Sequence, residues 1–308
     1  MQADTFERSC AHWSDAGRDG MEAFYALARL DYRLLAEGYD WAPTLRARAA
    51  EQSALRLIDV ACGSGKFPEA LLAHAGLSPS GAPSAGDEAM TFDYDLLDPS
   101  PFSLREARQA LAAPFRAGAE YCCTLQDWEP EVGGYDVAWA THALYCVPAE
   151  DLETAVERMA RALAPEGFGF VAQGLREGHY VGFYDRYRES RLGRGATAYS
   201  DGGEVEEALR KVGLHVRSRE LAYTTVVPAG EEELLERYLQ RCVFDDDVSL
   251  MEMRSNEPLA GYLAACHDAA TGEHRFPQRV ATILFSPSER GLARAPRACD
   301  AREEECER

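Results

Sequence analysis

The sequence has little positive charge, and lysine is almost absent from it. Lys66 and Lys211 are its two lysines, and its 32 basic residues stand against 52 acidic ones, so the formal net charge is -20. Nucleic acids and anionic membrane surfaces are polyanions that such a chain repels, so we expect no nucleic-acid and no membrane partner. The acidic excess serves solubility, and it also favours a neutral or cationic small-molecule substrate.

Apolar runs, secretion signals and metal-binding cysteine patterns are missing as well. No stretch approaches the roughly 18–20 apolar residues that span a membrane, and residues 1–20 are charged, unlike a signal peptide. The nine cysteines are odd in number and include no CxxC or CxxH pair typical of zinc sites. We expect a cytoplasmic protein with reduced thiols and no metal centre.

The sequence does contain enough apolar material for a large core, because hydrophobic residues make up 46% of its 308 residues. Short apolar runs such as "LRLIDV", "MTFDYDLLD", "YDVAWATHALYCV" and "FGFVAQG" alternate with segments of helical periodicity. This alternation predicts an α/β fold with a mostly parallel sheet that is covered on both faces.

Composition divides the chain into three parts. Residues 1–50 are rich in helix formers and predict a helical cap, and residues 51–287 carry the alternating pattern of the main domain. Residues 288–308 are charged and poor in core residues, which predicts a disordered tail. Residues 78–88 are small and turn-forming, as in a surface loop. Ser103 is the predicted N-cap of the helix after the second strand.

A glycine turn, "DVACGSGK", follows the first predicted strand. Gly63 and Gly65 permit a left-handed backbone or the close approach of a ligand, and the next helix offers free N–H groups. The turn is neither a GxGxxG fingerprint nor a phosphate-binding P-loop, because Phe67 follows Lys66 where a P-loop has Ser or Thr. Ligands of open α/β sheets bind at this edge, beyond the carboxyl ends of the strands.

"LIDVACGSG" resembles the first motif of class I S-adenosylmethionine-dependent methyltransferases, an acid followed by three alternating glycines. Asp59 is the acid, and Ala61 replaces the first glycine, which should restrict how closely a ligand approaches. The resemblance implies a Rossmann-like fold with a seven-stranded sheet, N-terminal helices and a C-terminal lid region. It also implies S-adenosyl-L-methionine as the cofactor. The turn residues implied to bind it, besides Asp59 and Ala61, are Gly63, Ser64 and Gly65.

A second acid, Asp98, follows the second predicted strand in "LLDPSPFS". In the resembled family an acid here accepts hydrogen bonds from both ribose hydroxyls, a role that suits the two oxygens of a carboxylate. Asp93 and Asp95 are rivals within the strand, and capping of the next helix is the other role open to Asp98. The neighbours implied to lie at the cofactor are Pro99, Ser100 and Ser103.

The resemblance gives "LQDW" a role at the adenine. Asp127 would meet the adenine amine and Trp128 would cover the ring. The alternative is nearly as strong: Trp128 packs in the core and Asp127 is a solvated turn residue.

"THALYCVPAEDLETAVERMARALAP" is similar to the histamine N-methyltransferase group, in which a polar residue and two further positions precede LYYV and a helix. "DPS", "FYDRYRE" and "YSDGG" keep that group's order, so the distant resemblance covers roughly residues 10–285. It implies that Thr141 lies against the cofactor and that His142 and Tyr145 face the substrate. His142 is a candidate catalytic base, with Tyr145 beside it. A ring hydrogen-bonded at a strand end is an equal alternative for His142.

Acceptor recognition is expected from the N-terminal helices and from lid elements at about 175–200 and 231–275. Asp31 or Glu37 is the candidate partner of a substrate amine, and Tyr184 is a candidate pocket residue. At least two of the lid aromatics are expected to pack in the core instead. These aromatics are Tyr180, Phe183, Tyr184 and Tyr187.

Methyl transfer to nitrogen or oxygen of a small polar metabolite, in bacterial specialised metabolism, is the leading functional hypothesis. Alignment of an unprotonated nucleophile with the activated methyl group would supply most of the catalysis. Two alternatives stay open: the same fold can catalyse cyclisation, or the chain is a non-catalytic cofactor-binding scaffold. A protein partner is not indicated.

Overall fold

The computed structural model describes residues 5–14, 17–51, 54–77, 91–193 and 196–299. Within these ranges seven strands form one sheet. The strands are β1 (Leu55–Val60), β2 (Phe92–Leu97), β3 (Phe115–Tyr121), β4 (Tyr135–Thr141), β5 (Leu163–Gly174), β6 (His215–Val227) and β7 (His274–Ser286).

Twelve α-helices and one π-helical turn, Arg188–Leu192, accompany the sheet in the described part of the chain. The helices are α1 (Thr5–His12), α2 (Arg18–Glu37), α3 (Trp41–Ala49), α4 (Lys66–His74), α5 (Pro101–Ala110), α6 (Leu152–Ala162), α7 (His179–Tyr187), α8 (Gly202–Lys211), α9 (Glu232–Val243), α10 (Leu250–Ser255), α11 (Leu259–Cys266) and α12 (Glu289–Ala293).

The strand order is β3-β2-β1-β4-β5-β7-β6, and β7 runs antiparallel to both of its neighbours while the other pairs are parallel. The predicted seven-stranded, mostly parallel α/β sheet is therefore confirmed. Because β1 lies between β2 and β4, the ends of these three strands meet at one edge. That edge is where an open α/β sheet binds its ligands.

Both faces of the sheet are covered, as the continuous apolar strands require. One face packs rings from α3, α4, β4 and β5 edge to face: the centre of the Trp41 ring lies 4.9 Å from that of Phe170, and those of Phe67 and Trp139 are 5.2 Å apart. On the other face α6 buries Leu152, Val156 and Met159 with further residues at helical spacing.

The helix after β2 begins earlier than the sequence predicts. Ser100, and not Ser103, is its N-cap: the Ser100 hydroxyl accepts a hydrogen bond from the Ser103 backbone N–H at 3.2 Å. Pro101 stands at the first helical position, where its missing N–H costs nothing. The predicted loop at 78–88 lies outside the described residues.

The predicted disordered tail is wrong for its first half. Residues 289–293 form α12, and Arg294 reaches Glu166 at 2.8 Å and also pairs with Glu51. Tyr39 and Ala298 then form an isolated antiparallel β-bridge. Charged residues were expected to remain solvated, but here they meet charges of opposite sign on the body of the protein. Residues 300–308 lie outside the described residues.

The N-terminal region forms three helices, α1 to α3, as the helix-rich composition predicts. None of the helices in the described ranges is long and apolar enough to cross a membrane. Within the same ranges, histidine, cysteine and acidic side chains form no group of three or more that could hold a metal ion.

Candidate active site

Two neighbouring cavities lie at the carboxyl edge of β1, β2 and β4. The first, which we call the turn cavity, has about 1060 Å³ of open space beside the β1–α4 turn, part of it continuous with solvent. Six of the predicted cofactor residues line it: Ala61, Gly63, Asp98, Pro99, Ser100 and Thr141. Ser64, Gly65 and Ser103 stand one layer behind.

The β1–α4 turn has three residues in the left-handed region: Ala61 (φ 48°), Gly63 (φ 51°) and Gly65 (φ 72°). At Gly65 a side chain would also clash, because its Cβ would lie 3.1 Å from the Ala107 Cα on α5. At Gly63 the nearest atom would be the Tyr25 hydroxyl at 3.9 Å, so the backbone faces open space. Ala61 adopts the left-handed conformation at a cost of about 1–2 kcal/mol.

Asp98, which follows β2, accepts hydrogen bonds from the backbone on both sides of the site. Its Oδ2 accepts a hydrogen bond from the Gly63 N–H at 3.0 Å, and its Oδ1 accepts one from the Ser100 N–H at 2.8 Å. Burial raises the pKa of Asp98 to about 6, while these bonds and the Ser103 hydroxyl lower it. Each oxygen keeps a lone pair for a further donor. The buried carboxylate beside an open backbone turn therefore fits a ligand with paired hydroxyl groups.

Asp59, the motif acid, does not line the turn cavity. It is 2% exposed, and its Oδ2 accepts a hydrogen bond from the Tyr94 hydroxyl at 2.7 Å. The Trp139 indole N–H in turn donates to the Tyr94 oxygen at 2.9 Å. Burial raises the pKa of Asp59 to about 7. Asp59 thus anchors β1 to its neighbouring strands behind the turn and does not touch a ligand in the cavity.

Of the two roles considered for Asp127 and Trp128, the structure agrees with the second, a solvated turn residue and a core residue, and not with contact to an adenine. Asp127 is exposed and accepts a hydrogen bond from the Thr124 hydroxyl at 2.7 Å, while Trp128 is 3% exposed and packs against Tyr121 and Tyr135. Neither lines a cavity. The turn-cavity residues of this loop are Thr124, Leu125 and Gln126. A tight turn from Thr124 to Asp127 reverses which side chains face inward.

The second cavity, about 650 Å³, adjoins the first and is walled mainly by rings; we call it the aromatic cavity. It lies between α2, α9 and the ends of β5, β6 and β7. The residues that line both cavities are Trp13, Tyr32, His142, Tyr145 and Tyr180.

Asp31, His142 and Tyr145 form a connected chain at the junction of the two cavities. Asp31 is 3% exposed, and its Oδ2 contacts the Nε2 of His142. The Nδ1 of His142 lies 2.8 Å from the Tyr145 hydroxyl, which accepts a hydrogen bond from the Gly174 N–H at 3.0 Å. This contact has the distance of an ion pair, but Nε2 of His142 makes no hydrogen bond to the described residues.

The other carboxylate oxygen of Asp31 has no partner. Oδ1 is buried and accepts no hydrogen bond from the described residues, although Asp31 lines the aromatic cavity. His142 itself is held in a left-handed conformation, φ 54°, which turns its ring from the end of β4 toward α2. Strain of this kind persists where surrounding contacts fix it, often at functional sites.

Two other residues predicted to contact the acceptor, Glu37 and Tyr184, lie outside both cavities. Glu37 lines neither cavity and instead faces Arg33 and His74 on the surface. Tyr184 is fully buried outside both cavities, where it stacks on Tyr199 with ring centres 3.6 Å apart. Phe183 and Tyr187 are also core residues, so the expectation that at least two lid aromatics pack in the core is confirmed.

Sequence reasoning expected the N-terminal helices to contribute and named Asp31, but it missed the other residues of the same face of α2. Phe24, Tyr25, Ala28, Asp31 and Tyr32 all line one or both cavities. They recur at i, i+1, i+4, i+7 and i+8, which is the spacing of one helix face. This stripe of aromatic and acidic residues was the sequence signal for a cavity wall. Such a stripe is, however, also typical of a helix face that packs on a core.

Comparisons with known proteins agree with this geometry. Two rice proteins, from Oryza sativa subspecies indica and japonica, are both described as alpha N-terminal protein methyltransferase 1. Each is 26% identical over 133 residues, which cover 41% of this chain and 40% of the relative. The chain therefore matches two fifths of the length of these curated relatives.

Solved structures share the fold at low identity. A Bacillus halodurans protein described as a methyltransferase is 11% identical with a TM-score of 0.53, over 80% of this chain and 97% of that one. A Thermotoga maritima protein described as a possible histamine N-methyltransferase is 13% identical with a TM-score of 0.46, over 90% of this chain and 99% of that one.

The predicted class I methyltransferase fold is thus confirmed by both comparison and topology. A family model described as AdoMet dependent proline di-methyltransferase matches residues 4–221, more than two thirds of the sequence. The chain therefore belongs to the AdoMet-dependent proline di-methyltransferase family, and its cofactor is S-adenosylmethionine.

Proposed function

We propose that this methyltransferase acts on the nitrogen of an amine held in the aromatic cavity, with Asp31 as the residue that receives the amine. The observation that carries the proposal is the unpartnered Oδ1 of Asp31. A buried carboxylate oxygen without a donor is costly, and the N–H of an amine would satisfy it. The family description and the names of the rice relatives both refer to acceptors that contain an amine, which supports nitrogen over oxygen.

The cofactor would occupy the turn cavity. Asp98 would accept hydrogen bonds from the ribose hydroxyls, and the backbone at Ala61 and Gly63 would lie against the methionyl part. Thr141 would approach the same part from the end of β4. Lys66, which also lines this cavity, is 21% exposed and free to meet a carboxylate after leaving Glu69. When bound, S-adenosylmethionine supplies a methyl group activated by its sulfonium.

The chain's own residues then have three tasks in the proposed reaction. Asp31 orients the amine through Oδ1 and accepts the proton that the nitrogen must lose. His142 contacts the other oxygen of Asp31 through its Nε2, and Tyr145 fixes the ring through Nδ1. His142 is therefore a positioning residue in this scheme, rather than the base. The rings of Tyr32, Tyr145 and Tyr180 would face the cationic product.

The aromatic cavity is lined mainly by rings together with the Asp31 carboxylate, which suits a small metabolite or the first residue of a peptide. A small polar metabolite therefore stays within the proposal. Cyclisation and scaffolding make different predictions, because only methyl transfer releases S-adenosylhomocysteine in step with a methylated product.

The test is an assay of S-adenosylhomocysteine release with a panel of amines and the matching alcohols, followed by mass spectrometry of products. We expect turnover with amines only. Asp31→Asn should lower kcat/KM by about 10²–10⁴-fold, as for loss of a general base, while calorimetric affinity for S-adenosylhomocysteine stays unchanged. Glu37→Gln, an acid lost from the same helix outside the cavities, is the matched control. Equal activity of Asp31→Asn and Glu37→Gln would disprove the role of Asp31.

A further inference from the structure

Arg241, on the buried face of α9, is the most unusual charged group in the described part of the chain. It is 2% exposed, and its Nε, Nη1 and Nη2 have no hydrogen-bond partner there. Asp246, the acid whose charge acts on it, faces His12 at 3.6 Å instead. The positive charge of Arg241 is therefore buried without a pairing anion.

A second buried arginine is better satisfied, although its Nε also has no hydrogen-bond partner in the described part of the chain. Arg48 is 6% exposed and stacks on the ring of Phe168 at 4.9 Å, and its Nη2 donates to the Glu166 carbonyl at 2.8 Å. Arg241 has the ring without the acceptor: its Cζ lies 4.4 Å from the centre of the Trp13 ring. Stacking alone offsets only part of the cost of removing a guanidinium from water.

Arg241 stands directly behind the wall that the two cavities share. Trp13, which covers the guanidinium, lines both cavities and follows the end of α1. Tyr25 and Tyr180 also line the cavities, and the charge of Arg241 acts on both hydroxyl groups. Arg241 itself lines neither cavity, and Trp13 is the cavity-lining ring on which its guanidinium stacks.

We propose that the acceptor carries a free carboxylate beside its amine, and that Arg241 binds this carboxylate when the Trp13 indole moves aside. A guanidinium pairs with a carboxylate through two parallel hydrogen bonds, which would satisfy the orphaned nitrogens together. The inference rests on the proposed function, since Asp31 takes the amine end. It makes the acceptor a free amino acid or a similar zwitterion, in contrast to the N-terminus of a protein, where the neighbouring carboxyl is an amide.

The test compares free amino acids with their carboxamides and with tripeptides that begin with the same residue. An amide preserves the shape of the acid and removes its charge. We expect the wild type to prefer acids over amides by about tenfold or more in kcat/KM, as for a charge-assisted pair. Arg241→Gln should abolish this preference by lowering kcat/KM for the acids alone. An acid-to-amide ratio unchanged in Arg241→Gln would overturn the inference and leave amine methylation standing.

The cofactor also has a carboxylate, so affinity for S-adenosylhomocysteine is measured by calorimetry on the same variant. Unchanged affinity supports the acceptor as the source, whereas a tenfold loss would assign Arg241 to the cofactor and overturn the inference. If no compound of the panel is methylated, the proposed function fails. In that case the S-adenosylhomocysteine complex is titrated with the free amino acids. Binding to the wild type that is lost in Arg241→Gln supports the Arg241 site, whereas no binding to the wild type refutes it.

A measurement without any ligand separates a binding role from a structural one. If Arg241 awaits an anion, Arg241→Met should raise the Tm of the ligand-free protein by about 2–4 °C, because an unpaired buried charge disappears. Arg48→Met, which breaks a satisfied hydrogen bond, is the matched control and should lower Tm. A comparable fall in both variants would show that Arg241 is structural.

Discussion

The two cavities differ in how the chain builds them. The turn cavity is formed by strand ends and the turns that follow them, mostly within short contiguous segments such as 61–63 and 97–100. The aromatic cavity takes single side chains from α2, α9 and the ends of four strands. Backbone geometry therefore determines the shape of the turn cavity, whereas the identity of the side chains determines the shape of the aromatic cavity. A binding site for a shared cofactor can persist in this way while the acceptor site changes residue by residue.

After Asp31→Asn, the largest expected effect comes from His142, and it separates catalysis from cofactor binding. His142→Asn keeps a residue that tolerates the left-handed backbone but removes the ring between Asp31 and Tyr145. We expect kcat to fall by about 10²–10³-fold, as when a preorganised hydrogen-bond donor is lost, with affinity for S-adenosylhomocysteine unchanged. Tyr145→Phe removes only the hydroxyl of Tyr145 and should lower kcat less than His142→Asn does. Single-turnover kinetics and calorimetry check this, and loss of cofactor affinity in His142→Asn would show that the two cavities are not separable.

The converse variant is Asp98→Ala. Loss of the hydrogen bonds that Asp98 offers to a buried polar ligand should weaken S-adenosylhomocysteine binding by about 1–3 kcal/mol. The Gly63 and Ser100 N–H groups would lose their acceptor as well. Calorimetric titration measures the change, and Asp93→Ala is the control, since Asp93 is a half-buried acid of the same strand that pairs with Arg116 and lines neither cavity. Equal losses in both variants would exclude Asp98 as a ribose ligand.

The pH dependence of cofactor binding also tests whether Asp98 binds the ribose. Burial raises the pKa of free Asp98 to about 6, and hydroxyl donors of a ligand favour the ionised form. The complex therefore binds fewer protons than the free protein, so affinity should rise with pH up to about 6 and remain level above it. Titrations at pH 5 to 8 should give up to about a tenfold loss per unit below 6. Asp98→Asn should remove this slope, and a slope that persists there belongs to another group.

The smallest expected effect concerns the adenine end of the turn cavity. Gln126→Ala should weaken S-adenosylhomocysteine binding by about 0.5–1.5 kcal/mol, the size of one neutral hydrogen bond. Asp127→Ala, one position further and exposed, should leave binding unchanged. Calorimetry on both variants tests whether the cavity residue or the motif residue contacts the ligand. A loss in Asp127→Ala alone would restore the family-based assignment.

The sheet and the turn cavity could be predicted because their determinants are local. Strand periodicity, the glycines at 63 and 65 and an acid at a strand end each fix backbone geometry nearby. The sequence left two positions open for Trp128 and could not decide between them, because turn geometry determines which side chains face inward. The role of Asp31 depends on how α2 packs on the sheet, which no local pattern encodes.

The chain's charged C-terminal segment misled prediction for a related reason. Arg294 has no apolar context in the sequence, yet it joins Glu51 and Glu166, residues far from it along the chain. Ion pairs between distant segments leave no periodic trace. Arg241 differs from Arg294: it lies three residues after Tyr238 on the buried face of α9, and its guanidinium has no hydrogen-bond partner in the described part of the chain.

The C-terminal segment, residues 294–299, is hydrogen-bonded to the junction between α2 and α3. Asp40 accepts a hydrogen bond from the Arg297 N–H at 2.5 Å and donates its own N–H to the Arg297 carbonyl at 3.0 Å. The junction of α2 and α3 cannot separate from the sheet without first releasing this segment. Native-state hydrogen exchange should therefore detect 39–49 and 294–299 as one cooperative unit. The last described residues are thus bonded to the residues that follow α2, the helix that lines the aromatic cavity.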